Sequence, residues 1–265
     1  MAELPPLREL GSDLIRLTHR QRLVTLALPF ACAGAYLGAA LLGWWPAAVL
    51  ATMALSYSTY GSTSHDLVHR SLGLPRWLNE IFLCAIELLA VRSGHAYRSA
   101  HLHHHAAFPA ADDIEGAAAR MTWLGALIDG LTLQYRIWWR AASHRGRDRP
   151  WVLAEGFACV ALVAGAVVLV PVTRIGVVYV GLMVAGSWII PLVTSYFVHD
   201  ATGDGPLTQT RAFRGRVASV VSLEHLYHLE HHMYPAVPHQ NWPELARRLD
   251  PHLTRAGVRP IRFGR

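Results

Sequence analysis

From Leu23 to Ser64 the chain runs for 42 residues without one Asp, Glu, Lys, Arg or His. A helix crosses the hydrocarbon of a bilayer in about 20 residues, so this run predicts two crossings, near 23–42 and 47–64. Gly43-Trp44-Trp45-Pro46 makes the turn between them, with tryptophans suited to a membrane interface. Two further uncharged runs, Gly156–Thr173 and Ile175–Val198, predict crossings near 156–173 and 175–198. Ala31-Cys32-Ala33 has the small-residue form of a leader cleavage site, but the apolar stretch continues far beyond it, which favours a span. Only 16% of residues are charged and 52% are hydrophobic. A soluble domain carries about 25% charged residues, so the composition argues against both an ordinary soluble enzyme and a disordered chain.

The arginines orient the spans. Four precede the first, ten lie between 65 and 155, nine follow the last, and Arg174 alone lies between the third and fourth. By the positive-inside rule the arginine-rich side is cytoplasmic, so both termini and all 16 histidines face the cytoplasm. Leu124, Leu127, Ile128, Leu131, Tyr135 and Trp138 recur at helical spacing apart from Asp129, Arg136 and Arg140, which predicts an amphipathic helix in the interface plane. Leu78–Val91, with Glu80 and Glu87, is too short to span and predicts a second in-plane helix. The expected architecture is one all-α integral membrane domain over 1–265, four transmembrane helices with a cytoplasmic cap. No nucleic-acid partner is expected.

Several chemistries are excluded by what is missing. There is no Lys for Schiff-base chemistry or a P-loop, and no GxGxxG. Cys32, Cys84 and Cys159 stand singly in apolar stretches, giving neither a disulfide framework nor a CxxC site. Histidine is what the sequence has in excess. His65 and His69 are spaced i, i+4; His101, His104 and His105 are spaced i, i+3, i+4, and so are His228, His231 and His232. Such spacing sets rings on one helix face, as chelation requires. His199 ends the fourth run. These nine imidazoles exceed the four coordinates of one zinc ion and suit two metals. Iron, copper, nickel and zinc all accept imidazole, so ligand type leaves the metal open. Neither HExxH nor Glu-x-x-His occurs, which removes zincin proteolysis and carboxylate-bridged di-iron bundles.

Around the boxes, Asp66, Asp112, Asp113, Asp200, Glu224 and Glu230 are candidate carboxylates for the outer ring nitrogens. His225 shares the helical phase of His228 and His232 and is a further candidate; His103 points away from His101, and His95 stays open between roles. His19, His144, His239 and His252 are expected at the surface. Trp188 and Tyr196 either line a lipid tunnel or anchor the fourth span, and Pro191 is expected to kink it.

His65-Asp-Leu-Val-His69, Tyr97-Arg-Ser-Ala-His101-Leu-His-His-His105 and His228-Leu-Glu-His-His-Met-Tyr-Pro-Ala-Val-Pro238 resemble the histidine boxes of the membrane fatty acid desaturase and hydroxylase superfamily, which includes carotenoid ketolases and hydroxylases. The resemblance runs from about Tyr57 to Leu253. It implies two irons held at the cytoplasmic ends of four spans by His65, His69, His101, His104, His105, His228, His231 and His232, with His199 as an additional ligand, and O2 as co-substrate. Two positions depart from the pattern. Acyl-CoA desaturases often place an Asn four residues before the extra His, where this chain has Ser195, and the acidic cluster after the second box is the looser Asp112-Asp113-Ile114-Glu115.

The expectation is therefore an O2-dependent oxidoreductase that desaturates or hydroxylates a lipid chain, a fatty acyl chain by default, in a bacterial inner membrane. Carotenoids and other isoprenoids remain alternative substrates. The sequence holds no flavin fingerprint, CxxCH or iron–sulfur cysteine set, so a separate ferredoxin- or rubredoxin-like donor is implied. Arg145, Arg147, Arg149, Arg211, Arg214 and Arg216 would suit an acidic partner or, equally, anionic headgroups. The rival classes are a zinc-dependent membrane lipid hydrolase and a bis-His haem carrier or metal transporter. Spans free of charge and His speak against the last pair.

Overall fold

The computed structural model describes residues 4–215 and 225–262. Helix α1 (His19–Leu41) opens with a capping box: Thr18 Oγ1 accepts from the Gln21 N–H at 3.2 Å, and the Gln21 side chain accepts from the Thr18 N–H at 2.9 Å. Gly43 turns the chain at φ 72°, a conformation that costs glycine little. Pro46 then sits in the first turn of α2 (Trp45–Ser58), where its missing N–H has no partner to lose. Past Ser58 the helix widens into a π turn, Thr59–Thr63, and resumes as α3 (Ser64–His69).

Helices α4 (Arg76–Leu89) and α5 (Gly94–Ala107) follow, then α6 (Trp123–Ser143), whose Thr122 caps the Gly125 N–H. Next come α7 (Arg149–Val168) and α8 (Ile175–Ser187); a second π turn, Leu192–Tyr196, lies beyond Pro191. The C-terminal part contributes α9 (His228–Met233), α10 (Trp242–Arg255) and two short parallel strands, Phe213–Arg214 and Ile261–Arg262.

Among the described residues, three stretches are long and apolar enough to cross a membrane: Ser12–Leu41, Arg149–Val168 and Ile175–Tyr196. Four were expected, and the difference lies in 47–64. Helix α2 has 14 residues, about 21 Å at 1.5 Å per residue, and the π turn ends regular helix before His65. The third stretch starts at Arg149 rather than Gly156, because Glu155 enters the helix instead of ending it. Val172, Phe157 and Val168 are 82%, 76% and 75% exposed. So large an apolar surface belongs against lipid, and the protein is a membrane protein.

Both in-plane segments are helical. On α6, Ala126, Gly130, Leu133, Ile137 and Ala141 face inward, while Leu124, Ile128, Leu131 and Tyr135 face outward. Four of the six residues of the apolar stripe seen in the sequence therefore lie on the outside, Leu127 is half-buried and Trp138 packs against the core, and a narrower row containing small residues makes the packing face. Leu67, Leu83, Ile86, Tyr97, Leu133 and Ile137 belong to one core beneath the histidine boxes. Leu14, Leu229, Trp242, Leu245 and Leu249 belong to a second, which joins α9 and α10 to the N-terminal arm.

Candidate metal centre

A π turn inserts one residue into a helix and so rotates everything after it by about 100°. Such a turn precedes His65, and another precedes His199. His65 and His69 stand on α3, His101, His104 and His105 on α5, and His228, His231 and His232 on α9. His199 sits in an isolated bridge to Thr210. Four segments thereby bring the nine rings into two groups. His65, His69, His101, His105 and His231 form one; His104, His199, His228 and His232 form the other. Within each group one nitrogen of every ring lies within 4.8 Å of the others. His105 of the first stacks on His232 of the second with ring centroids 4.4 Å apart.

The outer nitrogens of several rings are spoken for. His101 donates its Nδ1–H to Glu115 Oε1 at 3.0 Å, His104 to Asp113 Oδ2 at 2.7 Å, and His199 to the Ser195 carbonyl at 3.2 Å. A neutral imidazole carries one N–H, so each of these rings turns an Nε2 lone pair inward. His104 Nε2 and His199 Nε2 are 3.0 Å apart. Two lone pairs at that distance repel unless a cation lies between them. Other inward pairs are 2.9 Å (His65–His231), 2.7 Å (His105–His231), 3.1 Å (His101–His105) and 3.1 Å (His228–His232). Nitrogens bound at about 2.1 Å and at right angles stand roughly 3 Å apart, so both groups fit a metal ion. His65 Nδ1, His69 Nε2 and His231 Nδ1 are buried without a hydrogen-bond partner among the described residues.

Electrostatics agree. Burial, reinforced by neighbouring rings, pushes His65, His101, His199, His228, His231 and His232 well below the usual imidazole range, and His69 down to about 3. Unprotonated rings are what a metal binds. Burial would raise Asp113, but the bonds from His104 and from the Gly116 N–H hold it below the usual carboxylate range. Burial pushes Glu115 up to about 7. Gly116 is required here, since a Cβ would stand 2.2 Å from Asp113 Oδ2 and 2.9 Å from His104 Nδ1.

Aromatic rings enclose the centre. Trp242 lies 5.3 Å from both His65 and His231, and Phe108 lies 4.6 Å from His199. Tyr60 and Tyr97 stack at 4.2 Å, and the Tyr60 hydroxyl donates to Glu115 at 3.3 Å. A narrow cleft over the rings shares Tyr60, Val193, Thr194 and His225 with a cavity of about 450 Å³ whose wall is almost wholly apolar, including Met53, Ile189 and Ile190.

Of the carboxylates proposed from sequence that are among the described residues, Asp113 alone bonds one of the nine rings. Asp66 accepts from His239 Nδ1 at 2.6 Å, Asp112 pairs with His103 and Arg140, Asp200 closes a turn with Thr202, and Glu230 binds Arg214 at 2.6 Å. Glu224 and Arg216 lie outside the described residues. Glu115, read from sequence only as part of an acidic cluster, is the partner of His101. His239 is not at the surface but packed against Asp66, and His252 is half-buried; His19 and His144 are exposed. His225 stays out of both groups: it stacks on Tyr57 at 5.2 Å and meets Ser62 Oγ at 3.3 Å. His95 lies between Glu155 at 2.7 Å and Glu80 at 2.9 Å. The Ser195 hydroxyl accepts from the Ala119 N–H at 3.1 Å. Trp188 is 45% exposed, and neither it nor Tyr196 lines the apolar cavity.

No curated protein matches the chain in sequence. The sequence profile described as fatty acid desaturase matches residues 39–263, a span that contains all nine clustered histidines. By that match, the chain belongs to the fatty acid desaturase family.

Proposed function

We propose that the protein is an O2-dependent oxidoreductase that holds two irons and desaturates or hydroxylates an unactivated C–H position of a membrane-phase lipid, a fatty acyl chain in the first place. The observation that carries this reading is the convergence of nine imidazoles into a group of five and a group of four. His65, His69, His101, His105 and His231 would hold one ion, and His104, His199, His228 and His232 the other. Bound iron would supply activation of O2 for attack on the C–H bond. Asp113, Glu115 and the Ser195 carbonyl hold three rings in one tautomer and orientation. Trp242 and Phe108 keep water from the centre, and the apolar cavity beside Tyr60 receives the chain.

The same reading makes α2 with its π turn the fourth crossing, and puts both termini and the centre on the cytoplasmic side of a bacterial inner membrane. The arginine distribution supports that orientation. Electrons come from a separate ferredoxin- or rubredoxin-like protein.

Metal analysis of the purified protein, with mass spectrometry of lipids from a bacterial host supplied with a ferredoxin system, tests the proposal. About two irons per chain are expected, with a new lipid either lighter by two hydrogens or heavier by one oxygen. His104→Ala and His231→Ala each remove the product and lower bound iron, whereas the exposed His144→Ala does neither. Zinc in place of iron, with full turnover under argon, would establish a hydrolase instead.

A further inference from the structure

Against the centre, sharing no residue with the apolar cavity, lies an open cleft of about 470 Å³. Arg70 and Arg76 come from the end of α3 and the start of α4, Arg98 from α5, and Arg147 and Arg149 from the turn between α6 and α7. Five guanidinium groups thus face one carboxylate in the wall, that of Asp148. Glu80 takes up Arg98 and one bond from Arg70, at 3.1 Å, and the Arg149 Nε–H is given to the Ala142 carbonyl at 2.8 Å. Arg76 and Arg147 are exposed, and their side chains make no hydrogen bond or ion pair among the described residues. Also in the wall is His69, a half-buried ring of the group of five.

We infer that this arginine cleft is the docking surface for a small acidic protein that carries one electron at a time, and that electrons enter through the edge of His69. The inference rests on the oxidoreductase reading above. Desaturation consumes O2, two electrons and two protons, converting –CH2–CH2– to –CH=CH– and releasing two waters. Two reduced [2Fe–2S] carriers, each giving up one electron, balance that reaction. A carrier has to bring its cluster close to a metal ligand without blocking the lipid, and this cleft satisfies both conditions. Uncompensated cations on a rigid rim steer and hold an anionic partner, and make its binding salt-sensitive.

The test uses the whole protein in phosphatidylcholine nanodiscs, with an acidic plant-type [2Fe–2S] ferredoxin as probe. Affinity is measured against salt for the parent, Arg76→Glu/Arg147→Glu and, as a charge control outside the cleft, Arg259→Glu. The double variant is expected to bind at least tenfold more weakly and with a flatter salt dependence, while Arg259→Glu binds as the parent does. Three results would overturn the inference: no binding by the parent at low salt, equal binding by the double variant, or equal weakening by Arg259→Glu. Loss of affinity only for vesicles containing phosphatidylglycerol would assign the cleft to lipid headgroups and overturn it as well. Iron content of the same samples reports on the metal centre separately, so failure of the cleft and failure of the centre are told apart.

Discussion

What each histidine contributes depends on its outer nitrogen. Asp113 fixes the His104 ring through Nδ1 at 2.7 Å and is itself held by the Gly116 N–H at 3.0 Å. Asp113→Asn keeps the shape and removes the charge that strengthens the ring's lone pair. Loss of such a partner lowers metal affinity by about 10–100-fold. Chelator competition on the purified variant should show that loss, while Asp112→Asn, at a side chain 64% exposed, should match the parent. Acid is a second probe. The buried rings are held below the imidazole value of an unfolded chain, His69 at about 3. A depressed imidazole means that the unfolded state binds more protons below about pH 6.5. Metal-free protein is therefore most stable above that pH and loses stability as pH falls from about 6.5 towards 3, by about 1.4 kcal/mol per unit for such a ring. Denaturant titrations of the metal-free protein at pH 8, 6 and 5 check the sign. The nine rings were legible in sequence because helical spacing is local. Glu115 was not, since a loop carries it back to His101 from 14 positions away, and the His239–Asp66 contact joins residues 173 apart.

At the level of elements, helix existence followed from apolar runs and boundaries did not. The in-plane helix of 123–143 was legible, yet which of its faces meets protein was not, because lipid and a protein core reward the same apolar residues. The deciding position is Gly130, where a Cβ would stand 2.0 Å from the Trp188 carbonyl. That contact lets α6 lie against the segment leading to the second π turn, and so bears on where His199 is held. Gly130→Ala must push the two backbones apart, a strain of about 1–3 kcal/mol. Gly165→Ala in α7 meets nothing within 4 Å and should gain helix propensity. Thermal unfolding in detergent should thus show a lowered midpoint for Gly130→Ala and no lowering for Gly165→Ala, and bound metal should fall only in the first. The π turns left only weak marks in the sequence: Gly61 with Thr59, Ser62 and Thr63 in the first, and Pro191, the expected kink, directly before the second; such residues signal a weakened helix and not the extra residue that a π turn inserts.

For the molecule as a whole, the open quantity is the number of crossings. In the orientation proposed above, with the N-terminal arm inside, α1 would carry Trp44 to the far side, and the arginines around Arg147 would call for a return before residue 147. Helices α4 and α6 contribute packing faces to the core under the boxes; if both lie in the plane, as the proposed topology has them, α2 and its π turn are left to make that return. Helix alone supplies about 21 Å; the π turn and α3 extend the path to the level of His65. Such a short crossing would suit a centre sunk towards the membrane, with the apolar cavity between α2 and the segment after α8 beside it. Cysteine labelling decides it. In a background with Cys32, Cys84 and Cys159 replaced by Ala, an impermeant maleimide should label Trp44→Cys and Val172→Cys, 65% and 82% exposed in the parent, on intact cells. Arg147→Cys should react only after lysis. Trp44 outside with Arg147 inside demands an odd number of crossings between them, and α2 is the one helix there without a charged residue or His; labelling of both on intact cells would leave three crossings and put the histidine boxes on the other side of the membrane.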